Sequence, residues 1–189
     1  MMKSCSRSYL QILTIEGFRL VMIIRPEKPS EFPKINCLVK IAFKTAKVTD
    51  GKEQDLVKKL RQSGNYIPEL ALVAEENGKL IGHMMFTKTF IVGKDKKFET
   101  LLLAPVSVAL EFRNQGTGSA LIKKSLKLAK ELGYSSVVLV GDPKYYHRFG
   151  FKSAVKFGIR HIHSIPDENV MIFELVPKAM NGISGTVDC

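Results

Sequence analysis

Apolar and polar positions repeat with two different periods along this chain, and the switches between them divide it into elements. Leu20–Ile24 is a continuous apolar run ended by Arg25-Pro26 and reads as a strand. Pro29 and Ser30 suit a helix start, and Ile35, Leu38, Val39, Ala42 and Phe43 follow at helical spacing. Beyond the polar gap Thr49-Asp50-Gly51, that spacing returns at Leu56, Val57 and Leu60. Leu70–Glu75 then reads as a strand. Asn77-Gly78 is a hairpin turn, because both residues tolerate positive φ, and Lys79–Val92 is the return strand. Past a polar turn at Gly93–Lys96, Phe98–Ala109 is a third long run. Pro105 inside it cannot donate to a ladder, which predicts an edge or a bulge and a bend in the strand.

The next predicted element is a helix over Gly116–Leu132. Leu121, Ile122, Ser125, Ala129 and Leu132 share one face, Lys123, Lys124, Lys127 and Lys130 fall mostly on the others, and Gly133 is the expected C-cap. Ser136–Val140 is a short apolar run suited to a strand buried on both faces. Pro143–Phe149 is a short helical stretch ending at Gly150, and Val170–Val176 is a last strand before a tail containing Gly and Ser. The order β-α-α-β-β-β-α-β-α-β describes a mixed α/β (α+β) domain, a meander followed by one βαβ crossover around the Gly116 helix. No internal repeat or low-complexity tract interrupts it, and no domain boundary follows about Met22.

Composition narrows the class. With 189 residues and 45% hydrophobic positions, the chain can bury the core of one domain. Cys5, Cys37 and Cys189 are scattered and odd in number, without metal-ligand spacing, which argues against a disulfide framework and fits a cytoplasmic protein. Lys and Arg total 29 against 18 Asp and Glu, a net charge of +11. The lysines are spread along the chain without a long basic tail, the pattern of a solvated basic surface. Glu16 and Arg19 interrupt the apolar-leaning stretch Tyr9–Ile24, and no small-residue cleavage site follows. That stretch is neither a membrane span nor a signal peptide.

The candidate chemistry lies where the third strand meets the Gly116 helix, over Val106-Ser107-Val108-Ala109-Leu110-Glu111-Phe112-Arg113-Asn114-Gln115-Gly116-Thr117-Gly118. The first turn of a helix has free N–H groups and the positive end of the helix dipole, and so suits an anion. Glycines let backbone approach a phosphate closely, and Arg113 or Gln115 can add donors. By itself Gly-x-Gly is equally a tight strand-to-helix turn. It is not a Walker loop, since no Gly-Lys-Ser/Thr follows, and it lacks the third glycine of a dinucleotide fold.

Arg113-x-x-Gly116-x-Gly118 after the strand Val106–Val108 resembles the acetyl-CoA motif of the GCN5-related N-acetyltransferases (GNAT). Gly141-Asp142-Pro143-Lys144-Tyr145-Tyr146-His147-Arg148-Phe149-Gly150-Phe151 resembles the second half of the site in the same superfamily. That second run is similar to a YhbS-like bacterial subgroup, as are the opening Met22-Ile23-Ile24-Arg25-Pro26-Glu27 and the closing Phe173-Glu174-Leu175-Val176-Pro177. The resemblance runs from about Met22 to Val187. Leu110 stands where the family often has Pro. Gly141-Asp142 stand where many members carry a cofactor-contacting Asn, so no side-chain role is carried over to either.

The resemblance implies a GNAT fold: a central, mostly antiparallel twisted sheet with splayed strands and flanking helices. It implies a domain over residues 22–189 and an extension over residues 1–21. It implies acetyl-CoA as cosubstrate, with its pantetheine arm paired to Val106 and Val108 and its diphosphate on Arg113, Asn114, Gln115, Gly116, Thr117, Gly118 and Ser119. A backbone N–H near Val108 is then the oxyanion donor. Tyr146, four residues before Gly150, is the general acid that protonates the leaving thiolate. Tyr145 ranks well below it. Glu75, Glu76, His83 and Glu111 are candidate bases, each with a structural role as the stronger alternative, and Arg148 and His147 are as readily surface groups as substrate ligands. The acceptor is a primary amine, small or on a protein, with acceptor loops expected at Ala46–Tyr66 and Phe157–Glu168. Homodimers are common in the family, and neither a nucleic acid nor a membrane partner is expected. An acetyl-CoA-binding module with little or no turnover stays open as a second class. A basic nucleic-acid binder ranks last, for want of a motif.

Overall fold

The computed structural model describes residues 9–15, 18–45 and 51–189. The start of the Ala46–Tyr66 segment and the first eight residues of the extension lie outside them. The elements follow in order β1 (Tyr9–Ile15), β2 (Phe18–Pro26), α1 (Phe32–Phe43), α2 (Glu53–Gln62), β3 (Tyr66–Glu76), β4 (Lys79–Val92) and β5 (Lys97–Val108). They continue with α3 (Thr117–Glu131), β6 (Ser136–Val140), α4 (Pro143–Tyr146), β7 (Lys152–Ser153), β8 (Ile159–His161), β9 (Val170–Glu174) and β10 (Gly185–Val187). They build one sheet in the order β1-β2-β3-β4-β5-β6-β9-β7, with β10 bridging β4 and β8. Pairing along the main path is antiparallel except between β5 and β6, which are parallel and joined through α3.

Strand alternation explains why the apolar runs lack polar gaps. In β3, Leu70, Leu72 and Ala74 face the core under α3, while Ala71 and Val73 face the core under α1 and α2. Met84 and Phe86 of β4 likewise meet α3, and Met85 meets α1 and α2. With both faces covered, the middle of the sheet reads as a continuous hydrophobic run. Gly82 lets α3 approach β4 closely: a Cβ there would lie 2.9 Å from Leu121 Cδ1 and 3.2 Å from Thr117 Cγ2.

Several elements differ from the sequence reading. The first strand begins at Phe18, and its edge is covered by β1 in a hairpin of register Tyr9↔Ile24 to Ile15↔Phe18. Leu132 is 49% exposed because α3 stops at Glu131, so the C-cap residue no longer continues the buried stripe. The last long strand ends at Glu174, and the tail returns as β10, where Val187 closes a small core with Ile91, Val138, Ile159 and Ile172. Pro105 falls at a bulge: Phe86 pairs with Leu103 and Met84 with Val106, so Met85 opposes both Ala104 and Pro105.

A buried polar cluster fastens α1 and α2 to the sheet. The Glu27 carboxylate, just past β2, accepts from Arg61 Nε (2.8 Å) and Nη2 (2.6 Å), from Tyr66 Oη (2.9 Å) and lies 3.0 Å from His83 Nε2. Arg61 also donates to Asn36 Oδ1 and stacks 4.0 Å over the Phe32 ring. Burial alone would raise the Glu27 pKa, but the Arg61 and His83 hydrogen bonds hold it at about 2. Burial pushes His83 below the usual histidine range, so its imidazole is neutral and Nε2–H donates to Glu27.

Both folded values are lowered, so the unfolded chain binds more protons on acidification. Stability is therefore complete above the ordinary histidine value of about 6.5, falls as pH drops through it, and falls again from 4.5 toward 2 as Glu27 protonates. Urea midpoints are expected to be lower at pH 5 than at pH 8, and His83→Gln, which keeps a donor for Glu27, should flatten that difference. Glu27→Gln leaves the Arg61 charge buried without its partner and is expected to cost about 3 kcal/mol in urea unfolding at neutral pH.

Candidate active site

β5 and β6 share only the pairs Leu101↔Val137 and Leu102↔Val138. Beyond the bulge they diverge, and β5 runs on to Val108 with an open edge. Ala109 N–H donates to Ile81 O, so alternate β5 residues Ser107 and Ala109 bond toward β4. The N–H and C=O of Val106 and the N–H of Val108 therefore point toward the gap, while the Val108 C=O is contacted by Arg113 Nε. The bulge explains how an interior strand carries Pro105: it stands with Ala104 opposite Met85, where the regular ladder to β4 is interrupted.

The chain turns from β5 into α3 through a 3-10 turn at Leu110–Phe112. Asn114 (φ 59°) and Gly116 (φ 88°) take the left-handed conformation that aims successive backbone groups at one place. The first intrahelical bond is Ala120 N–H to Gly116 O, so the N–H groups of Gly116, Thr117, Gly118 and Ser119 have no backbone acceptor among the described residues. Gly118 is enclosed: a Cβ on it would lie 2.8 Å from Tyr145 Oη and 3.5 Å from Val108 Cγ2.

The other residues expected at this turn divide. Gln115 Nε2 donates back to Glu111 O (2.8 Å), and Asn114 is exposed beside it. The Arg113 N–H bonds Leu110 O, and its guanidinium turns the other way. Nη1 donates to Thr45 Oγ1 (2.7 Å), Nη2 to Ala42 O, and Nε lies 3.4 Å from Val108 O. Arg113 thus ties the end of α1 to the turn.

α4 forms the opposite wall. Asp142 caps it, accepting from Lys144 N–H at 2.9 Å. The Tyr146 ring packs on Gly141, whose absent Cβ would lie 2.5 Å from Tyr146 Cε2, and meets the Phe151 ring edge-on. Burial pushes its phenol pKa well above the usual range, so the hydroxyl stays protonated. That hydroxyl makes no hydrogen bond among the described residues. Tyr145 instead reaches Gly118, and so belongs to the helix-turn end of the gap.

The candidate bases stand apart from this geometry. Glu75 pairs with Arg25, Glu111 with Lys79 at 2.6 Å, and His83 is enclosed with Glu27. Sequence reading missed the Glu27–Arg61–Tyr66–His83 cluster, whose members come from distant segments. It also ranked Tyr145 and Arg148 low, although Tyr145, Arg148 and Phe149 stand at the i, i+3, i+4 spacing that puts them on one face.

A gap between diverging strands with a glycine turn at its mouth is the arrangement expected of a GNAT fold. Residues 23–154 match the acetyltransferase (GNAT) domain family, and the chain belongs to that family of N-acetyltransferases. It is 32% identical over 168 residues to the N-acetyltransferase YhbS of Escherichia coli K12, covering 88% of this chain and 95% of the relative. The crystal structure of Escherichia coli YhbS in complex with CoA superposes with a TM-score of 0.77 at 26% identity, covering 100% of this chain and 92% of that one. A GNAT family acetyltransferase from Brucella melitensis in complex with acetyl-CoA gives 0.73 at 30% identity, covering 89% and 95%. The expected fold and family are both borne out.

Arg113→Ala removes charged donors to α1 and to β5. It is expected to cost about 1–2 kcal/mol of stability and to speed limited proteolysis near residue 45.

Proposed function

We propose that this protein transfers the acetyl group of acetyl-CoA to a primary amine at the β5–β6 gap. The open backbone edge at Val106 and Val108, continuous with the free N–H groups of Gly116–Ser119, carries the reading. An extended amide-bearing arm matches the edge, and a diphosphate matches the helix turn. Three features of this chain fit the cosubstrate: the unpaired edge, the cradle at Gly118 that a Cβ would fill, and the unbonded Tyr146 hydroxyl.

In this reading the Val108 N–H steadies the oxygen of the thioester as the amine nitrogen attacks its carbon. As the new C–N bond forms and the C–S bond breaks, Tyr146 gives its proton to the departing sulfur. The amine's own proton passes to water, and Tyr146 is reprotonated from solvent. Asn114, Gln115, Thr117 and Ser119 line the turn and act chiefly through backbone. Residues 22–189 are the catalytic domain in this proposal, with residues 1–21 an extension that contributes β1; the family match beginning at residue 23 supports the division. The scattered cysteines support a cytoplasmic setting.

A thermal melt tests the cosubstrate. Acetyl-CoA at 100 times its dissociation constant is expected to add about 2.7 kcal/mol of stability, and Gly118→Val, which drives a side chain into Tyr145, should abolish that shift. Tyr146→Phe is expected to lower kcat by about 100-fold or more while leaving CoA affinity unchanged. Binding without amine-dependent CoA release, across a broad amine panel, would instead mark a sensor.

A further inference from the structure

We infer that Arg148 is the side-chain cation that clamps the diphosphate of the cosubstrate, a role that rests on acetyl-CoA occupying the turn proposed above. A diphosphate on backbone N–H groups alone leaves charge uncompensated, and the family motif's own arginine does not supply it. The Arg113 guanidinium is spent on Ala42 O, Thr45 and Val108 O.

Arg148 enters the same place from the opposite wall. Its Nη2 lies 3.4 Å from Ser119 Oγ, at the third residue of α3, beside the free N–H groups of the first turn. Its guanidinium lies over two rings, 4.1 Å from the Tyr145 centroid and 4.9 Å from that of Phe149. Tyr145 is itself held against Gly118 through its hydroxyl, so the platform that carries the charge is registered to the turn.

Three features separate this arginine from a solvated surface group. Contact with two rings restrains the guanidinium before ligand arrives, so less side-chain freedom is lost on binding. Among the described residues no carboxylate pairs with it, in contrast to Arg25 and Arg61. Its contact with Ser119 is longer than a good N–H···O bond and is readily exchanged for a phosphate oxygen. A planar fork on a helix N-terminus is a favourable arrangement for two phosphate oxygens at once.

Isothermal titration of the full chain with CoA, dephospho-CoA and pantetheine tests the assignment. R148Q is expected to weaken CoA and dephospho-CoA by a similar factor, about 10- to 100-fold, and to leave pantetheine unchanged. R148K, which keeps charge but loses the planar fork, should fall between R148Q and the unsubstituted protein. Arg148 is exposed, so both variants should melt with the unsubstituted protein when no ligand is present. Equal CoA affinity in R148Q and the unsubstituted protein overturns the assignment. So does a loss confined to CoA, which would move Arg148 to the ribose phosphate. Failure of the unsubstituted protein to bind CoA at all would instead overturn the reading on which this one stands.

Discussion

β5 and β6 are hydrogen-bonded over two residue pairs and then part, and the site depends on that parting. Had they stayed paired, Val106 and Val108 would have spent their backbone groups inside the sheet. The bulge opposite Met85 re-aims β5 as the divergence begins, and Pro105 falls within it, where the regular ladder to β4 is interrupted. α3 then spans the gap, and its first turn lands at the end of the exposed edge. Gly82 permits that landing by admitting Leu121 and Thr117 against β4.

The two faces of the sheet do different work. Under α3 the contacts are almost wholly apolar, and they set where the helix turn lies. Under α1 and α2 the Glu27 cluster adds a directional fastening, because the Glu27–Arg61 ion pair with three further hydrogen-bonding partners, Asn36, Tyr66 and His83, admits fewer arrangements than packed aliphatic groups. Arg113 joins the faces by reaching from the turn to the Ala42 carbonyl near the end of α1 and to the Thr45 hydroxyl just beyond it. A residue the family motif would place at the phosphates thus couples the helix near the expected acceptor side to the turn.

Local pattern carried most of the fold. The Asn77-Gly78 hairpin, the bounds of β4 and β6, and the α3 stripe ending near Gly133 were all legible, since each depends on neighbours in sequence. The glycine turn was legible too, because positive φ leaves a trace in residue type. What stayed hidden depends on pairing across long separations. β10 has three residues with no period of their own and exists through β4 and β8. The direction of the Arg113 side chain, and the meeting of Glu27 with His83, follow from tertiary packing that spacing cannot express.

The exposed edge of β5 has a further consequence. An unpaired strand edge ordinarily invites other chains to add themselves, and proteins guard such edges with charge, prolines or covering loops. Here the edge lies between two strands of one sheet. An intruding polypeptide would have to be driven in between β4–β5 and β6 rather than laid alongside. The protein thereby keeps a row of amides on offer in a place that another chain cannot reach simply by lying alongside the sheet.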